Sequence, residues 1–316
     1  MIWSELIQRV IFLSLIGLGI LGNILIFVRH VLTFTMGSEK KPIDLIIFTH
    51  LAFSNVIIIG TSGIRYVATK LHFKNGLGIA GCKTLVYLGR VARRLSICTT
   101  CLLSMVQVVT ISPRTSFLRK FRPQTIWQVL PSLLLLCIFN VLISSNLLHH
   151  ITVGSSLNRS RAGVYYEYCY MLPSRYTVKW LFLRLMTLRD VIFQCLMGWS
   201  SGYMALRLYK HHKCVLYLHT SRLANNASPE IRATWSVLIL MTCFLLYYFG
   251  DYILSFYIGS VLTLDSIILN IRIFLVIGYA ALSPFVLLIK DFHLISCWHT
   301  HWQVEETTFY NNPSSN

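Results

Sequence analysis

The sequence predicts an all-α bundle of seven membrane-spanning helices forming one domain, residues 1–316. Three observations carry this. First, 55% of the 316 residues are hydrophobic and only 12% are charged. Second, the apolar residues lie in seven long runs rather than in narrow stripes, and crossing a hydrocarbon core takes about 20 mostly apolar residues. Third, lipid offers no partner to backbone N–H and C=O groups, so each run must satisfy its own as a helix.

The elements follow in chain order. The first span, 8–30, is charge-free over 10–28. Its Gly17, Gly19 and Gly22 match a dinucleotide-binding glycine pattern. No strand precedes them and no water is at hand for a pyrophosphate, so they read as a close helix-packing surface. Glu5 precedes Arg9 and the apolar run is too long for a cleaved leader, so this span is expected to be its own targeting signal. The second span, 43–66, is charge-free over 45–64, and the third, 82–111, over 95–111. The fourth, 125–148, is charge-free from 126 onward. The fifth, 179–207, is charge-free over 191–206; its Gly198, Ser200 and Gly202 mimic a hydrolase elbow but sit inside a span. The sixth, 233–257, and the seventh, 266–289, are charge-free over 233–249 and 273–289, and 290–316 is a short tail.

Loop charge sets the orientation. With the N-terminus outside and the C-terminus cytoplasmic, 13 of the 28 Lys and Arg fall in inner segments and 9 in outer ones. The expectation is a multi-pass protein of the plasma membrane whose inner basic loops meet anionic lipid. The net charge of +17 is scattered over both faces with no single stripe, which excludes nucleic acid as a partner.

The same orientation sorts the nine cysteines. Cys98, Cys101, Cys137, Cys195 and Cys243 fall inside spans, and Cys214 and Cys297 fall on the inner side. Cys82 and Cys169 fall outside, as two free thiols or as a disulfide pinning the second outer loop onto the third span; the disulfide is the reading adopted. Asn158 opens a glycosylation sequon in that loop, and a second sequon at Asn226 faces inward. Cys98 and Cys101 have a redox or zinc spacing without a second ligand pair. Paired carboxylates, a His-Glu helix motif and a phosphate loop are all missing from the sequence. No catalytic residue, metal or cofactor is therefore expected, and the chain is not read as an enzyme.

The charges within the spans are the functional signal. Arg90, Arg93 and Arg94 stand about 12 to 18 Å below Cys82 at 1.5 Å per residue. Their i, i+3, i+4 spacing places them on one face. Arg184, Arg189 and Arg272 lie at similar depth, and the span acids are Asp44, Asp190 and Asp251. A central arginine costs about 2.5–3.5 kcal/mol to insert, so it must meet water, a partner or a ligand. One outcome is structural pairing, Arg93 with Asp251 or Arg189 with Asp190. The six arginines outnumber the acids, however, and surplus guanidinium favours an anion. The candidate ligand site is Tyr87, Arg90, Arg93, Arg94, Arg184, Asp190 and Phe256, with Phe182 and Tyr257 as further apolar wall.

Short motifs in a fixed order then point to a family. They are Gly-Asn at 22–23, Pro-Ile-Asp-Leu at 42–45, Arg-Val-Ala-Arg at 90–93 running into Ser-Ile-Cys-Thr-Thr-Cys-Leu-Leu-Ser at 96–104, and Thr-Ile-Ser-Pro at 110–113. Arg-Asp-Val at 189–191, Ser-Gly-Tyr-Met at 201–204, Ser-Pro-Glu at 228–230, Arg-Ala-Thr at 232–234 and Ser-Pro-Phe-Val-Leu at 283–287 follow. From Gly19 to Asp291 the chain resembles the type 1 vomeronasal receptors, pheromone receptors with the G-protein-coupled receptor fold. Unlike rhodopsin-like receptors, it has Gln107 at the ionic-lock acid, Asn55 at the sodium-site aspartate and Gly89 at the amine-binding aspartate. The resemblance also covers the cysteine pair and the sequon. It departs at Arg94, where a small residue is usual, and along 223–227.

The resemblance implies a small-molecule pheromone ligand, and the surplus of span arginines makes the expected ligand a small amphipathic anion, of steroid-sulfate type. It also implies a heterotrimeric G protein with an inhibitory-type α subunit. Candidate coupling residues are Gln107, Pro113, Arg114, Arg207 and Arg232. Competing readings are a bitter-taste-like receptor, a small transporter or channel, and a receptor silenced by Arg94. The sequence shows neither internal repeats nor a filter loop, which disfavours transport.

Overall fold

The computed structural model describes residues 2–36, 43–70, 78–113, 116–123, 125–145, 151–153, 163–166, 169–171, 176–218, 229–260, 268 and 270–287. Seven long helices dominate them: α1 (Ile2–Thr35), α2 (Ile43–Lys70), α3 (Gly78–Ile111), α4 (Ile126–Ser145), α5 (Tyr176–Leu218), α6 (Pro229–Ser260) and α7 (Asn270–Leu287). A short 3-10 turn, Phe117–Phe121, follows α3. Among the described residues five helices are long and apolar enough to cross a membrane: α1, α2, α3, α4 and α7. A sixth apolar stretch, Leu238–Leu254, lies within α6.

The bundle is apolar outside and partly polar inside. Leu13, Leu18 and Leu21 of α1, Leu135 and Leu142 of α4 and Leu188 of α5 are all more than half exposed. A soluble monomer rarely exposes patches this extensive, and a lipid-facing surface requires them. Hydroxyls fit the same environment by bonding the carbonyl one turn back. Thr49 donates to Leu45, Thr100 to Ser96, Thr110 to Val106 and Ser200 to Leu196, each at 2.7–2.8 Å. Such back-bonding satisfies the group without a partner from another helix.

Inside, Ile47, Leu51, Leu103, Met197, Met204, Leu240, Met241 and Phe244 are fully buried and form the main core. α3 is the hub, touching α2, α4, α5 and α6. α1 meets α7 where side chains are smallest: a Cβ on Gly19 would lie 2.9 Å from the Ala281 Cβ, and one on Gly22 3.0 Å from Pro284. Beside that contact Asn23 donates to the carbonyls of Gly19 and Ala280, both at 2.8 Å. Asn55 donates to Ser283 at 2.8 Å and to Asn23 at 3.3 Å, and Ser96 donates to Asn55 at 3.3 Å. Buried amides survive only when partnered in this way. Four helices are thus joined by a neutral polar knot.

Between α4 and α5 the chain forms a small sheet that the seven-run pattern does not predict. The strands are β1 (Ile151–Val153), β2 (Gly163–Tyr166) and β3 (Cys169–Met171), ordered β1-β3-β2 and antiparallel throughout. Val153 pairs with Cys169, and β1 packs on α3. The sheet is therefore tied to α3 through β1.

Candidate functional site

Toward the middle of the bundle, in its Cys82 half, charged residues converge between α3, α5, α6 and α7. Arg93 of α3 makes a salt bridge and hydrogen bond through Nη2 to Oδ2 of Asp251 on α6. The other oxygen, Oδ1, accepts from Nε of Arg272 on α7 at 3.4 Å. One carboxylate thereby joins three helices. The Arg93 guanidinium also sits 5.1 Å from the Tyr248 ring centroid, and the Tyr248 hydroxyl donates to the Arg93 carbonyl at 3.3 Å. Below it, Tyr248 stacks on Phe244, which meets Tyr279 edge-on. Tyr279 in turn shares a 3.3 Å contact with the Thr100 hydroxyl.

A second cluster lies on the α5 side. Arg189, 8% exposed, donates twice to Oδ1 of Asp190, at 2.8 and 3.1 Å. Its Nη1 donates to Oδ1 of Asn140 on α4 at 2.8 Å. The Asn140 amide nitrogen donates to Leu136 and, at 3.5 Å, to the Cys98 sulfur. Both acid–arginine pairings named from the sequence are therefore realised. The cost of a buried charge explains why: it is tolerated only when paired and hydrogen-bonded.

The remaining candidates fall in different places. Arg94 lies in the electrostatic field of Asp190, Arg189, Arg90 and Arg93. Arg90, Arg93 and Arg94 thus act on one another within one electrostatic cluster, in which Arg93 is paired with Asp251 of α6. Tyr87 donates to the Val141 carbonyl at 3.2 Å, so it faces α4. Arg184 is exposed on α5 and Asp190 has 31% of its side chain exposed. The side chains of Phe256 and Phe182 lie outside the described residues. Tyr248 and Asn140 were missed. Each had a faint signal, Tyr248 standing one turn before Asp251 and Asn140 being an amide in a charge-free run.

At the opposite end, Gln107 donates to Oδ2 of Asp44 at 2.7 Å, tying α3 to α2. Ser112 meets the Tyr203 hydroxyl at 3.2 Å, which also accepts from Arg207 at 3.1 Å. A 670 Å³ cavity opens there, lined by Ile43, Asp44, Val106, Thr110, Lys120, Arg122 and Pro123. Pro113 follows the last turn of α3. Arg114 and the Arg232 side chain lie outside the described residues, as do Asn158 and the Cys169 side chain. Cys82 is buried and disulfide-bonded. Among the described residues no group of three His, Cys, Asp or Glu could hold a metal.

Residues 6–300 match the family model described as the vomeronasal organ pheromone receptor family. Vomeronasal type-1 receptor 46 of Mus musculus is 33% identical over 291 residues, 91% of this chain and 92% of that protein. Vomeronasal type-1 receptor 51 of Mus musculus is 35% identical over 294 residues, covering 92% and 90%. Vomeronasal type-1 receptor 101 of Rattus norvegicus is 31% identical over 293 residues, covering 92% and 93%.

Proposed function

The chain belongs to the vomeronasal organ pheromone receptor family, and on that premise we propose that it is a plasma-membrane receptor for small anionic amphiphiles of steroid-sulfate type. As a member it is a chemosensory receptor, a membrane protein and not an enzyme. The finer reading is ours. All seven helices span the membrane as one domain, with the N-terminus and the Cys82 end outside and the tail from 290 inside. Cys82 pairs with Cys169, and Asn158 carries a glycan. The disulfide-bonded state of Cys82 and the packing of β1, partner of the Cys169 strand, on α3 support the cysteine pairing.

One observation carries the ligand class. Among the described residues of the spans, Arg90, Arg93, Arg94, Arg189 and Arg272 lie in the Cys82 half of the bundle with two carboxylates, Asp190 and Asp251. A surplus of guanidinium in a low-dielectric interior is complementary to carboxylate or sulfate. The proposed site also includes Tyr87, Arg184 and Phe256. Ligand binding shifts the population toward a bundle whose Gln107 end accepts a heterotrimeric G protein with an inhibitory-type α subunit. Gln107, Pro113, Arg114, Arg207 and Arg232 face that partner in this reading, and anionic inner-leaflet lipid meets the flanking basic loops.

The test is nucleotide exchange. With the receptor in lipid nanodiscs beside an inhibitory-type heterotrimer, a panel of sulfated and carboxylated sterols is expected to accelerate loading of GTPγS. Pertussis-toxin modification of the α subunit is expected to abolish the gain. Unchanged exchange with well-folded receptor would contradict the proposal.

A further inference from the structure

We propose that Arg93 and Arg272 form a two-armed anion site, that Asp251 is its resident occupant, and that an incoming ligand anion takes the place of Asp251 and so releases α6. This rests on the anionic-ligand reading above and assigns its point of action.

The geometry carries it. Two guanidiniums on different helices address the two oxygens of one carboxylate, Arg93 at Oδ2 and Arg272 at Oδ1. A sulfate or carboxylate presents the same oxygens to the same fork. The Arg272 contact, single and 3.4 Å long, falls short of the 2.7–2.9 Å of a strong charge-assisted bond. One arm is thus underused, and a ligand anion gains more from it than Asp251 does. The two arginine side chains are 23% and 22% exposed, whereas Asp251 is 9% exposed between them. The fork can therefore be met from its open side. Arg93 keeps its seat over Tyr248 when the carboxylate leaves. The three groups also sum to one positive charge, which an added anion neutralises.

Release has a mechanical consequence. Phe244, Tyr248 and Asp251 recur at i, i+4 and i+7 on α6, the face turned to α3 and α7. Asp251 is the charged end of that stripe. Without its two arginines, this end of α6 loses its ionic ties to α3 and α7 and keeps the Tyr248 hydroxyl bond. A ligand that binds the fork better than Asp251 does shifts the bundle toward the released state.

Asp251→Asn tests this, because it keeps the shape and removes the competing charge. At equal surface display, signalling without ligand is expected to rise severalfold. The half-effective concentration of a steroid 3-sulfate is expected to fall about tenfold, a normal size for coupled sites. The parent 3-hydroxysteroid should show no such gain. Arg272→Gln should raise the basal signal yet blunt the response to the sulfate, and Asp251→Glu should stay quiet. Should Asp251→Asn fail to reach the surface, Arg272→Gln alone decides. Basal signal and sulfate sensitivity both unchanged in displayed variants would overturn the fork, leaving the anionic-ligand reading intact if wild type responds. A wild type deaf to the sulfate would overturn that reading, and the ligand half of this proposal with it.

Discussion

Gly19→Val is expected to remove most of the receptor from the cell surface. A Cβ at this position would stand 2.9 Å from the Ala281 side chain and 3.0 Å from its backbone. Backbone cannot swing aside as a flexible side chain does, so α1 must move off α7. Overpacking of this kind typically costs about 1–3 kcal/mol. The displaced helix also carries Asn23, whose amide holds the Ala280 carbonyl and whose oxygen accepts from Asn55. Each buried group left without its bond adds about 1–3 kcal/mol. Gly17→Val is the matched control, because nothing lies within 4 Å of a Cβ there. Epitope staining of intact cells, with total protein measured after permeabilisation, checks the pair. Equal staining of both variants would show that the α1–α7 contact is not a folding constraint.

Arg189→Leu is expected to be the most damaging of the arginine substitutions for stability. It strips Asp190 of two hydrogen bonds and Asn140 of one, at the junction of α3, α4 and α5. Removing one partner of a buried pair costs about 3–5 kcal/mol, and the 31% exposure of Asp190 lowers the expectation to about 2 kcal/mol. The second substitution Asp190→Leu should return part of the loss, since apolar replacement of a whole pair is often tolerated. Thermal melting in detergent across the double-mutant cycle gives the coupling. Strictly additive losses would mean that the pair does not act as a unit.

These two sites show what the sequence could and could not disclose. The helices were legible because lipid demands long charge-free runs, and 10–28, 45–64 and 126–148 have no other explanation. The acid–arginine pairs were legible because few acids exist in the spans to choose from. Their third partners were not. Arg272, Tyr248 and Asn140 join the clusters across gaps such as Asn140 to Arg189, and nothing local in the chain encodes that closure. The Gly19 contact was half legible: the glycines announced close packing but not that Ala281 and Pro284 would face them. The sheet over α3 was missed because short strands of three or four residues leave no periodic trace. α5 continues to Leu218, beyond its apolar run, because hydropathy measures lipid contact and not helix length.

In the proposed function, surplus arginine in the Cys82 half reads a negative charge on the ligand. The direct measurement is a calcium readout in cells displaying the receptor, dosed with a steroid 3-sulfate and its parent 3-hydroxysteroid. The expected result is a response to the sulfate alone, lost in Arg90→Ala and Arg94→Ala variants that still reach the surface. Equal responses to both steroids, or a sulfate response untouched by either variant, would contradict it and leave the arginines as structural pairs.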